Sequence, residues 1–85
     1  MINLETKIKM NKEKIKSIKD SIAGLVRHIE SMTDMLSSCT EAGDIDGSIF
    51  YSSKLTEDSI EVNRFLERLA VREGLLYDQL EMWEG

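Results

Sequence analysis

Counted in sevens from Ile8, one lane along the chain holds Ile15, Ile22, Ile29 and Leu36, with Met1 one step earlier. A second lane, counted in sevens from Leu4, holds Asn11, Ile18, Leu25, Met32 and Cys39. The lanes alternate at spacings of four and three, the stripe that a supercoiled helix of 3.5 residues per turn keeps on one side. The positions between are mostly Lys, Glu, Ser, Thr and Asp, and the chain contains no proline. The pattern predicts one helix over about residues 3–41, roughly 57 Å long at 1.5 Å per residue.

The second half repeats the stripe less regularly. Leu55, Val62, Leu69, Leu76 and Trp83 form one lane, and Ile45, Ser52, Ser59, Leu66, Glu73 and Leu80 form the other, giving a second helix over about 44–83. Between them, at about 42–44, Gly43 can take the left-handed conformation that ends a helix, and Asp44 can cap the amides of the next. So short a connection forces the helices to lie side by side and antiparallel. The expected architecture is all-α: an antiparallel coiled-coil hairpin forming a single domain over 1–85.

In an antiparallel pair the facing residues share a constant sum of residue numbers. A sum of 84 sets Ile22 against Val62, Ile18 against Leu66, Met1 against Trp83, and serines 48, 52 and 59 against large side chains. It also sets Asn11 against Glu73, a polar layer that would fix the register. A rival sum of 91 would leave Glu73 against Ile18, and an unpaired carboxylate in an apolar layer is costly. The first register is therefore expected.

Composition narrows the setting. The 85 residues are 41% hydrophobic and 32% charged, with a net charge of -5. Cys39 is the one cysteine, so no disulfide framework is available, and a reducing cytoplasm is expected. No apolar block suits a membrane span or a signal peptide, so the chain reads as soluble and unprocessed. Its acidity disfavours nucleic acid and anionic membranes as partners.

A lone two-helix seam leaves most of each helix wet. Apolar residues off the expected seam, namely Met35 on helix one and Tyr51, Ile60, Phe65, Leu75 and Met82 on helix two, therefore read as a stripe for another chain to cover. Phe50 and Val71 fall on the outermost lane. The expectation is self-association, as a homodimer forming a four-helix bundle, or cover by a different protein.

Few residues suggest chemistry. The segment 42–53 matches the middle of a calcium-binding loop through Asp44, Asp46 and Gly47, but Ala42 and Ser53 stand where the first and last ligands are required. His28 falls close to Asp58 by heptad arithmetic, without a nucleophile or a pocket beside it. Cys39 sits on a core lane as a small apolar filler. No metal, cofactor or small-molecule substrate is expected, and no enzyme activity.

Six lysines in the first twenty residues give that stretch +3, whereas residues 60–85 carry -3 and residues 21–59 carry -5. The lysines are read as a solvated stripe matching the acidic second arm. The expected function is a non-enzymatic protein–protein interaction module, an adaptor, chaperone or inhibitor of the kind phages and plasmids encode. The alternative is an RNA-binding dimeric regulator using Lys12, Lys16 and Lys19. That alternative resembles, in architecture only and with no shared motif, the Rop family of plasmid RNA modulators, which are dimers of helical hairpins.

Overall fold

The computed structural model describes residues 3–84. It contains two helices, α1 over Leu4–Ala42 and α2 over Ile45–Glu84, packed along their length as an antiparallel hairpin. The rod measures 62 × 20 × 14 Å. Its radius of gyration is 18.9 Å, against about 12 Å for a compact chain of this length. Neither helix is long and apolar enough to cross a membrane.

Local chemistry fixes the start of α1 and both helix boundaries at the turn. Asn3 begins α1, its side chain accepting from the Thr6 amide at 2.8 Å. Gly43 ends α1 at φ 75° and ψ 16°, the left-handed region that costs a residue bearing Cβ about 1 kcal/mol or more. The Gly43 and Asp44 amides then donate to the Thr40 and Cys39 carbonyls at 3.2 and 2.9 Å, closing the last turn. Asp44 starts α2: its Oδ1 accepts from the Gly47 amide at 2.9 Å and its carbonyl accepts from the Ser48 amide at 3.0 Å.

Helix α1 buries the predicted stripe. Ile8, Asn11, Ile15 and Ile18 are buried, and Ile22, Leu25, Ile29, Met32, Leu36 and Cys39 are half-buried. Helix α2 departs from prediction in one of its two lanes. Leu55, Val62, Leu69 and Leu76 face inward, but their companions are Tyr51, Asp58, Phe65, Arg72 and Gln79. Ser52, Ser59, Leu66 and Glu73 are exposed, and only Leu80 of the expected lane is half-buried.

The register moves with the lane. The side-chain pairs that touch across the seam are Thr40 with Ser48 beside the turn, and His28 with Asp58, Lys19 with Glu73 and Asn11 with Gln79 farther along the rod. Their numbers total 86 to 92, which replaces the expected 84. The reason lies in what each lane would bury. The observed lane brings in two aromatic rings, the largest apolar surfaces on offer, and each of its polar members has an outlet. Asp58 meets His28, Gln79 meets Asn11, and half-buried Arg72 has a long apolar stem that can carry its charge toward water. The expected lane would have left Phe65 outside and Glu73 inside. Trp83, expected in the seam against Met1, is 56% exposed, and Met1 lies outside the described residues.

Candidate protein-binding interface

Burial is thin. Only Ile8, Ile15 and Ile18 form a buried apolar core among the described residues. The chain exposes 6324 Å², whereas a compact monomer of 9.7 kDa would expose about 5,100 Å². The excess, about 1,200 Å², reflects the elongated shape of a rod of 62 × 20 × 14 Å.

On one flank, at the open end of the hairpin, Lys7, Met10, Asn11, Lys14, Arg72, Leu75 and Gln79 line a shallow depression of about 160 Å³. A second depression beside it is lined by Lys14, Ser17, Ile18, Arg68 and Arg72. Met10 and Leu75 are exposed, and so is Met82, two turns beyond Leu75 on the same face of α2. The ion pairs among the described residues engage Lys19, His28, Lys54 and Arg64. Lys7, Lys14, Arg68 and Arg72 have no carboxylate partner there, although the Arg68 guanidinium stacks 5.3 Å from the centre of the Phe65 ring. This flank combines exposed methionine and leucine with four unpaired cations.

The opposite flank has another character. On α2 it runs through residues 45, 49, 52, 56, 59, 63, 66 and 70, which are Ile, Ile, Ser, Thr, Ser, Asn, Leu and Ala, without a charge. On α1 it carries Ala23, Val26, Thr33, Ser37 and Thr40, with Glu30 the one charge in that stretch. Near the turn Leu36, Thr40, Ile45, Ser48, Ile49 and Ser52 help line a shallow depression of about 410 Å³. Ile45 and Ile49, one turn apart, are 72% and 60% exposed. The hydroxyls of Thr33, Thr40 and Thr56 donate to the carbonyls of Ile29, Leu36 and Ser52, one turn back in their own helices.

The residues expected to bind a partner do not form one surface. Tyr51 and Phe65 are half-buried in the seam, where they hold the hairpin together. Met35, Leu75 and Met82 remain exposed on the cationic flank, and exposed Ile60 lies on the back of α2, away from both flanks. Ile45, Ile49 and Leu66 were expected in the seam or left unassigned, and all three are exposed. A count of charges per lane over 45–70, taken apart from hydrophobicity, would have found the uncharged flank.

The expected polar layer separates as well. Asn11 is 3% exposed and its Nδ2 donates to Gln79 Oε1 at 3.2 Å and to the Arg72 carbonyl at 3.0 Å. Glu73 lies outside on the uncharged side and meets Lys19 at 3.7 Å.

The other candidates resolve into structure. His28 Nδ1 lies 2.7 Å from Asp58 Oδ2, a cross-helix contact with no enclosing cleft. The Asp44 carboxylate is committed to the cap of α2, and no group of three His, Cys, Asp or Glu side chains among the described residues is placed to hold a metal ion. Burial and the neighbouring Asp44 carboxylate push the Cys39 thiol up from its ordinary value. Comparison with protein-family models, curated proteins and solved structures finds no match to this chain.

Proposed function

We propose that the protein is a non-enzymatic binding module whose cationic flank receives an acidic amphipathic helix from another protein. The carrying observation is the convergence of exposed Met10, Leu75 and Met82 with the unpaired cations Lys7, Lys14, Arg68 and Arg72 along one edge of the seam. Methionine adapts its shape to a partner's side chains, and arginine holds carboxylates through two parallel hydrogen bonds. A helix laid along this edge would bury apolar residues at spacings of three and four and present acids to the cations. In the cell such a module would act as an adaptor, chaperone or inhibitor, and a lone, weakly acidic thiol suits a reducing cytoplasm.

The test is capture by photocrosslinking from Leu75 and Met82, with Ile60 as the control position. Leu75→Glu with Arg72→Glu should abolish capture while circular dichroism retains the helices. Capture that survives both substitutions rejects this surface. RNA recognition through Lys12, Lys16 and Lys19 has less support. Lys19 is engaged by Glu73, and Glu5 and Glu13 share the depression formed by Lys9, Lys12 and Lys16.

A further inference from the structure

Three cations of the cationic flank converge across the seam, and two of them are held in place. Lys14 and Ser17 of α1 and Arg68 and Arg72 of α2 line one shallow depression of about 270 Å³, together with buried Ile18. The Arg68 guanidinium stacks 5.3 Å from the centre of the Phe65 ring. Arg72 is half-buried in the seam, its backbone carbonyl accepting from Asn11 Nδ2 at 3.0 Å. Packing has therefore already removed part of the rotamer freedom that a surface arginine gives up on binding. No carboxylate lines this depression. Glu67 lies on the outer side of the two arginines, in a separate depression with Val71, and no ion pair among the described residues joins it to either. Three like charges gathered without a counter-charge repel one another, so an anion that reaches all three relieves that cost and adds its own attraction.

We infer that this clamp seats a phosphate monoester, carried by a phosphorylated side chain of the acidic partner helix. The inference rests on the reading of the cationic flank given above and names the group that anchors the partner. A carboxylate brings one negative charge and two acceptor oxygens, whereas a phosphate monoester brings about two charges and three oxygens. The heads of Lys14, Arg68 and Arg72, with the Ser17 hydroxyl beside them, match the second set. Arginine takes two phosphate oxygens through parallel hydrogen bonds, and lysine adds a point charge. Lys7 joins Lys14 and Arg72 in the adjoining depression, where carboxylates flanking the phosphate on the same helix find a cation. RNA suits the rod less well. Residues 21–59 carry -5, and Glu5 and Glu13 stand among Lys9, Lys12 and Lys16, so a long polyanion meets repulsion beyond the clamp. Because α1 and α2 each supply half of the clamp, filling it also holds the hairpin shut.

The test uses the full chain and labelled helical peptides of one designed acidic amphipathic sequence, differing at a single site that is phosphoserine, glutamate or serine. Fluorescence anisotropy should rank them in that order, the phosphoserine peptide binding about tenfold more tightly than the glutamate one. Lys14→Gln with Arg68→Gln, both at exposed positions, should erase that preference while circular dichroism retains the helices. Lys9→Gln with Lys16→Gln, outside the clamp, should leave it unchanged. Inorganic phosphate should compete, but only at higher concentration than the phosphoserine peptide, and should raise the thermal midpoint. Single-stranded RNA should compete no better than inorganic phosphate. The proposal is overturned by a phosphoserine peptide that does not bind or binds no better than the glutamate one, or by a preference that survives Lys14→Gln with Arg68→Gln. It is equally overturned if inorganic phosphate or RNA competes as well as the phosphoserine peptide. Partner capture at Leu75 and Met82 that persists after phosphatase treatment would also overturn it, and would leave the acidic-helix reading standing.

Discussion

Asn11 and Gln79 meet across the seam through a 3.2 Å hydrogen bond, with the Asn11 side chain enclosed and its Oδ1 without a partner. A buried amide in a coiled coil trades stability for a defined register, because only one alignment gives it a partner. Asn11→Leu removes the orphaned acceptor and fills the layer. Stability should rise by about 1 kcal/mol, read as a higher thermal midpoint. A lower midpoint would show that the amide contributes more through its two hydrogen bonds than its burial costs.

The pair of His28 and Asp58 puts a carboxylate on the seam with only 15% of its side chain exposed. His28→Ala takes away its partner and should cost about 1 kcal/mol in urea denaturation. Adding Asp58→Leu should recover that loss, since an apolar side chain suits the lane between Tyr51 and Phe65. If His28→Ala is neutral, water is an adequate partner for Asp58.

Cys39 should react slowly with alkylating reagents near neutral pH, because burial and the Asp44 carboxylate both disfavour its thiolate. The rate should climb with pH toward a midpoint above that of a free thiol. Asp44→Asn removes the negative charge but keeps a good helix cap, so it should speed alkylation with little change in melting. An unchanged rate would leave burial as the whole cause.

Three glycines should respond differently to alanine. Gly43→Ala forces a side chain into the left-handed region and should destabilise by about 1 kcal/mol. Gly74→Ala meets open space and Gly24→Ala only the end of Arg27 at 3.9 Å, so each should stabilise its helix by up to about 1 kcal/mol. Thermal melts of the three variants check the contrast.

The first helix and the turn were legible because each position carried one dominant signal: aliphatic residues in strict sevens, then glycine and aspartate where a helix must end and another begin. Helix α2 was ambiguous because three adjacent lanes each hold some large apolar residues. Leu66 and Leu80 argue for one lane, Phe65 and Tyr51 for its neighbour. The choice depends on whether Asp58 and Gln79 find partners, which cannot be judged until the two helices are aligned. Misplacing that lane moved Tyr51 and Phe65 onto the expected binding surface and hid the uncharged flank behind residues assigned to the seam.

The hairpin also has a mechanical character. Asn3 and Glu84 leave the 62 Å rod at one pole, and Gly43 closes the other. Tension applied between those ends would pull the helices apart like a zip, one layer at a time, instead of sliding them past each other. Ile8 would yield early, and the layer of Asn11 and Gln79 just behind it would be the first polar latch to resist.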